Sequence, residues 1–143
     1  MGRIVSLQLC PGYRKPMNVV GHAEVIKNLG LKGDTHALPD SSRQILLIEK
    51  ETLDALSLSP GQVKENITTE GITLMGLKMN DRLRLGNDVL LEITKPCSPC
   101  SRMEELRPGL LKGLAGKRGM LARVVIGGVV NVGDTIEPVS KPQ

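Results

Sequence analysis

Glycine and proline occur along the whole of this sequence, with sixteen glycines and nine prolines among 143 residues. Because these residues end helices and interrupt strands, their spread favours many short elements joined by turns. Residues 3–9 alternate as in a first or edge strand, and 45–49 is an apolar run typical of a buried strand. Residues 50–56 predict a short helix, and 63–69 and 72–77 are interpreted as strands or turns.

Two hairpins are predicted in the second half of the chain, each from two apolar segments around a glycine-containing turn: 82–86 with 89–94, and 120–126 with 129–139. The turns are Gly86-Asn87-Asp88 and Gly127-Gly128, both of the kind that reverses a strand. Residues 101–108 and 109–119, between the hairpins, indicate short helices.

This pattern lacks the alternation of strands and long helices that builds a doubly wound sheet. The expected fold is therefore mainly β with short helices, a barrel-like single domain over residues 1–143. Residues 140–143 are expected to be a loose tail.

Composition narrows the classes of function. With one tyrosine and no other aromatic residue, the core must be aliphatic, and stacking surfaces for nucleic-acid bases are lacking. The net charge of +4 comes from interspersed charges, which indicates a mildly basic surface with a basic pocket and no nucleic-acid partner. No run of about 18 apolar residues and no signal-peptide pattern occurs, so we expect a cytoplasmic protein with no membrane contact.

The strongest local feature is the Cys-x-x-Cys formed by Cys97 and Cys100. Ser101 and Glu104 have capping-box spacing, which predicts that Cys100 immediately precedes a helix. The positive end of that helix, with Arg102 nearby, favours the thiolate, the form that attacks electrophiles and binds metals. Cys100 is therefore a candidate catalytic residue and metal ligand.

Three alternatives for these cysteines stay open. The first is an inert pair in a tight turn. The second is a thioredoxin-like redox pair, although the βαβ framework of that fold is absent. A zinc site is the third alternative. It would need further ligands from among Cys10, His22 and His36.

A glycine-rich basic segment at 113–119 departs from the phosphate-binding loop pattern, because Lys117 is followed by Arg118 rather than by Ser or Thr. Lys117 and Arg118 are candidates for binding a non-nucleotide phosphate, and a solvated basic turn is the alternative.

Other polar candidates lie in the first half of the chain. Asp34 and His36 stand two residues apart in a predicted loop, and Arg43 precedes the buried strand. Asn66 stands among apolar strand residues, a position typical of a turn or cap. No G-x-S-x-G elbow supports a serine hydrolase.

Five segments in this order resemble the MOSC domain, the module named after the C-terminal part of molybdenum-cofactor sulfurase: GDTHA (33–37), RQILLI (43–48), ENITTEGI (65–72), PCSR (99–102) and GKRGMLARV with GGVVNVGDTI (116–136). The resemblance is clearest over residues 33–139 and indicates a small stand-alone member. It implies a compact β-barrel-like fold and binding of the molybdenum cofactor, a molybdopterin.

The resemblance also implies roles for the candidate residues. Cys100 corresponds to the family's essential cysteine, which binds molybdenum or carries sulfur. His36 is a candidate proton donor. The expected cofactor-binding residues are Arg43, Asn66, Arg102, Lys117 and Arg118.

Two classes of function follow from the resemblance. The first is an enzyme that reduces N-hydroxylated substrates at molybdenum. It would need an electron-donor protein, because the sequence shows no four-cysteine cluster motif and no dinucleotide fingerprint. The second is a carrier that delivers sulfur or the cofactor to other molybdoenzymes, with a cysteine desulfurase as partner.

Overall fold

The computed structural model describes residues 2–12, 15–98 and 101–139, with only the backbone at Ser101. These residues form eleven strands: β1 (Gly2–Leu9), β2 (Asn18–Val20), β3 (His22–Ile26), β4 (Gly30–Leu31), β5 (Ile45–Glu49), β6 (Ile67–Glu70), β7 (Arg82–Leu85), β8 (Val89–Pro96), β9 (Met120–Ile126), β10 (Gly128–Asn131) and β11 (Thr135–Val139). They also form three helices: α1 (Lys50–Ala55), α2 (Ser101–Leu106) and α3 (Leu110–Gly113). Cys100 and the tail at 140–143 lie outside the described residues.

Seven strands close into a barrel in the order β11-β7-β8-β9-β5-β6-β1, and β1 pairs with β11 to complete the ring. Neighbouring strands are antiparallel except β5 and β6, which run parallel with Leu47 opposite Ile67. Strand β2 extends the sheet beyond β1. The closed barrel and short helices confirm the predicted mainly β fold.

One of the two predicted hairpins is present and the other is wrong. Strands β7 and β8 pair directly, with Leu85 opposite Val89 across the predicted turn. Strand β10, however, pairs with β3 in a separate three-stranded sheet, β10-β3-β4, rather than with β9. A Cβ atom on Gly127 would lie 2.5 Å from the Val25 carbonyl oxygen. Gly127 therefore allows the backbone to pass close to β3, and it does not form a two-residue turn between β9 and β10.

The interior is aliphatic, as the composition predicts. The barrel is filled by fully buried branched side chains, among them Ile45, Leu47, Ile67 and Leu91. A second cluster packs the helices against the outside of β5 through Ile48, Leu53, Val63, Met103, Leu110 and Leu114. Burying each such side chain contributes about 1.5–3 kcal/mol, so the helices are held on the barrel by packing.

Helix α2 differs from the capping-box prediction. The Glu104 carboxylate accepts hydrogen bonds from the N–H groups of Gly109 at 2.8 Å and Leu111 at 3.1 Å, which the capping-box spacing does not predict. These bonds lower the pKa of Glu104. Glu104 thus joins α2 to the start of α3. None of the described helices is long and apolar enough to cross a membrane.

Candidate functional site

A cavity of about 230 Å³, here called the first cavity, lies where β8 ends and where β5, β6 and β9 begin. It is lined by His36, Arg43, Leu46, Lys64, Asn66, Cys97, Ser98, Arg102, Met103, Arg118 and Leu121. Strand ends, two loops and α2 thus converge on one concave surface, the usual form of a small-molecule site.

Most of the predicted site residues come together here. His36, Arg43, Asn66, Arg102 and Arg118 all line the first cavity, although they are spread over 83 positions of the sequence. Lys117 is exposed and is not among the lining residues. The roles of these residues stay predictions.

His36 is paired with a buried carboxylate. Its Nδ1 lies 3.5 Å from Asp34 Oδ2, and Asp34 Oδ2 also accepts a hydrogen bond from the His36 backbone N–H at 3.1 Å. The hydrogen bond to Asp34 is the main cause of a raised His36 pKa, and it outweighs burial and the opposing charge of Arg43. Since the His36 side chain is 48% exposed, it can exchange protons with solvent while Asp34 orients it.

Asn66 joins three parts of the site. Its Oδ1 accepts from the Leu46 N–H at 3.0 Å, and its Nδ2 donates to the Gln8 carbonyl at 3.2 Å and to Asp34 Oδ1 at 3.1 Å. Asp34 Oδ1 also accepts the Cys10 N–H at 2.6 Å. With Asn66 only 2% exposed, its amide fixes the Asp34 loop against β1 and β5.

The first cavity has a one-sided charge. Arg43, Lys64, Arg102 and Arg118 line it, and its lining among the described residues includes no carboxylate. Arg118 is 5% exposed and donates a hydrogen bond to the Val63 carbonyl, which holds its guanidinium in place. A concave surface with this charge attracts anions, and arginine suits phosphate oxygens in particular.

Glu65, between the lining residues Lys64 and Asn66, carries a buried carboxylate and is not itself among the residues that line the first cavity. Burial raises the pKa of Glu65, opposed by backbone hydrogen bonds from Gly61 and Glu65, by the Thr68 hydroxyl and by the charge of Arg118. The Thr68 hydroxyl donates to Glu65 Oε2 at 2.9 Å.

Cys97 places a free thiol at the cavity wall. Its N–H donates to the Gly119 carbonyl at 2.9 Å, so the cysteine segment is tied to the start of β9. Gly119 has φ +120°, and a Cβ atom there would lie 2.3 Å from the Leu47 carbonyl oxygen, so this junction requires glycine. Cys100 follows three residues later, outside the described residues.

The zinc alternative gains no support from the described residues. No three of their His, Cys, Asp and Glu side chains cluster closely enough to hold a metal ion. Cys10 is buried and Cys97 half-buried, and both are free thiols.

Lys64 is the lining cation that the sequence interpretation missed. It lies in a segment predicted only as a strand or turn, with no motif around it. The sequence also did not identify Ser98, Leu46, Met103 and Leu121 as lining residues. Three of them are apolar and resemble ordinary core, and the fourth is a serine between two prolines and two cysteines. A signal existed in the family-like segments: Leu46 lies within RQILLI and Leu121 within GKRGMLARV, while Ser98 and Met103 flank PCSR.

The fold and the cavity define a class: a closed β barrel carrying a cation-lined pocket with a free thiol at its wall. A family model of the MOSC domain matches residues 32–137. The chain belongs to the MOSC domain family, which is associated with molybdenum-cofactor binding.

Solved structures share this fold. The YuaD protein from Bacillus subtilis superposes with a TM-score of 0.78 at 18% identity, over 95% of this chain and 94% of that one. YiiM from Geobacillus stearothermophilus superposes with a TM-score of 0.77 at 21% identity, over 98% of this chain and 76% of that one. YiiM from Escherichia coli superposes with a TM-score of 0.72 at 22% identity, over 98% of this chain and 71% of that one. Among curated proteins, none matches the chain.

Proposed function

We propose that this protein binds the molybdenum cofactor in the first cavity, with Cys100 as the thiolate that binds molybdenum or carries sulfur. The observation that carries the proposal is the one-sided charge of the cavity beside the cysteine segment. Molybdopterin bears a phosphate and a dithiolene, so a pocket of cations without lining carboxylates among the described residues fits it. When bound, the cofactor would supply a redox-active metal held by soft sulfur ligands.

The chain's own residues would bind the cofactor's anionic groups and hold the cavity in shape. Arg43, Arg102 and Arg118 would hold the anionic groups, and Lys64 adds a further cation at the wall. Asn66 would keep the cavity wall in shape through its three hydrogen bonds. The free thiols of Cys10 and Cys97 suit the reducing cytosol, where we place the protein.

We further propose that the loaded protein reduces N-hydroxylated compounds. The reaction takes an electron pair from a donor protein and two protons, breaks the N–O bond and releases water. His36 would deliver one proton, because Asp34 raises the pKa of the imidazole and so keeps it protonated to higher pH. The alternative is a carrier that takes sulfur from a cysteine desulfurase as a persulfide on Cys100.

Elemental analysis and pterin fluorescence test the binding proposal. The protein is co-expressed with cofactor synthesis as wild type, Cys100→Ala and the neighbouring control Cys97→Ala. We expect molybdenum and pterin in equal amounts in the wild type and in the control, with molybdenum lost from Cys100→Ala. Wild type lacking both would refute cofactor binding, and zinc in their place would support the Cys-x-x-Cys metal site.

A second measurement separates enzyme from carrier. Reduction of a hydroxylamine by loaded wild type, lost in Cys100→Ala, would support the enzyme. Mass spectrometry showing one added sulfur atom on Cys100 after treatment with cysteine desulfurase and cysteine, without reductase activity, would support the carrier.

A further inference from the structure

A second cavity adjoins the first. It has a volume of about 490 Å³ and shares two lining residues with the first cavity, Lys64 and Arg102. These two cations therefore form the wall between the cavities. The volume lies in the range of about 300–1,000 Å³ that small-molecule sites occupy.

The second cavity combines positive charge with an apolar surface. Arg107 adds a third cation, and no carboxylate occurs among the described residues that line the cavity. The rest of the lining is largely apolar, with Met17, Leu58, Leu106 and Leu110 among its side chains. Leu106 is 49% exposed, so its side chain offers apolar surface to a ligand in this cavity.

The wall between the cavities is held rigidly. Lys64 has φ 69°, a left-handed conformation that costs a lysine about 1–2 kcal/mol. Its N–H donates to the Gly61 carbonyl at 3.1 Å and its Nζ to the Lys15 carbonyl at 2.8 Å. Arg107 is likewise anchored, through a hydrogen bond to the Leu56 carbonyl. Cations that are positioned before a ligand arrives lose little entropy on binding it.

We propose that the second cavity binds the substrate, an organic anion whose apolar body rests on the leucine side chains and whose carboxylate or phosphate meets Lys64, Arg102 and Arg107. This inference rests on the proposed function, because the first cavity would hold the cofactor. The apolar lining favours a substrate over the cofactor's own phosphate end, which has no apolar group to cover Leu58, Leu106 and Leu110. The common wall places the substrate next to the cavity proposed for the cofactor.

Binding to the cofactor-free protein tests this inference independently of the reaction. The probe is 4-aminobenzoate, with aniline as the matched neutral compound, measured by calorimetry at low and high salt. We expect aniline to bind at least about tenfold more weakly than 4-aminobenzoate, because only the carboxylate meets the cations. Raised salt should weaken binding of 4-aminobenzoate and leave binding of aniline unchanged. Equal affinities of the two compounds would overturn the proposal.

Two variants localise the site. Arg107→Gln removes a cation that lines only the second cavity, and Leu106→Glu introduces a negative charge at its exposed apolar side. Each should weaken 4-aminobenzoate binding about tenfold, which corresponds to about 1.4 kcal/mol. Arg43→Gln, which changes only the first cavity, should leave binding unchanged. The reverse pattern would place the anion in the first cavity and refute the proposal.

Cofactor-loaded protein separates this inference from the proposed function. Loaded wild type should still bind 4-aminobenzoate, and Arg107→Gln should retain full molybdenum and pterin content. If loading abolishes probe binding, the cofactor itself fills the second cavity and the substrate proposal is wrong. If the wild type never acquires cofactor yet binds the probe as expected, the anion site stands and the proposed function fails.

Discussion

Asn66→Ala offers a sharp test of how the site is held together. The substitution removes an acceptor from the buried Leu46 N–H and a donor from the buried Asp34 carboxylate, at 3.0 and 3.1 Å. An unsatisfied buried donor costs about 1–3 kcal/mol, and a lost hydrogen bond to a charged group about 1.5–3 kcal/mol. The loss of the bond to the Gln8 carbonyl at 3.2 Å adds to this, so we expect a stability loss of about 3–5 kcal/mol.

Urea denaturation followed by circular dichroism measures this loss. With a slope of about 1–3 kcal/mol per molar urea, the midpoint should fall by about 2 M. Asn131→Ala, which changes an exposed asparagine on β10, is the control and should stay within about 0.5 kcal/mol of wild type. A loss below about 1 kcal/mol in Asn66→Ala would refute the view that this amide braces the Asp34 loop.

Asn66→Asp distinguishes a lost bond from a lost charge balance. It retains an acceptor for the Leu46 N–H but sets a second carboxylate against Asp34 Oδ1, 3.1 Å from the present Nδ2 atom. Two carboxylates this close repel each other, and protonation of one relieves the repulsion. The midpoint of Asn66→Asp should therefore approach that of wild type as the pH is lowered, which Asn66→Ala should not do.

Three further predictions concern residues in and near the first cavity. Asp34→Asn should lower the pKa of His36, measured by NMR titration in a His22→Gln background that leaves one histidine in the sequence. An unchanged titration midpoint would exclude Asp34 as the cause. Because pairing raises the folded-state pKa, protonated His36 stabilises the fold below pH 6.5, and the urea midpoint of wild type should fall toward that of His36→Gln as the pH rises through the raised pKa. Gly119→Ala should cost about 3 kcal/mol or more, because its Cβ would lie 2.3 Å from a carbonyl oxygen, whereas Gly116→Ala, in open space at φ +74°, should cost about 1 kcal/mol. Equal losses in the two variants would contradict the close approach at Gly119.

Local patterns were reliable where neighbours in sequence are also neighbours in space. The β7–β8 hairpin follows from alternating residues around one turn, and its partners are a few positions apart. The β9–β10 hairpin failed because Gly127-Gly128 resembles a turn while β10 gains its partner about 100 residues earlier, in β3. Likewise, Glu104 has capping-box spacing but finds better-placed N–H groups at the start of α3.

The sequence by itself determined the mainly β fold, the aliphatic core and the family, because these depend on residue order, side-chain type and local turns. It also identified His36, Arg43, Asn66, Arg102 and Arg118 as candidates. Only the tertiary structure decided that these five share one cavity and that Lys117 lies outside its lining. Lys64 shows the physical reason. Its place in the wall between the two cavities depends on hydrogen bonds to Gly61 and Lys15 and on a fold that brings α2 beside it. No pattern within the sequence encodes that proximity.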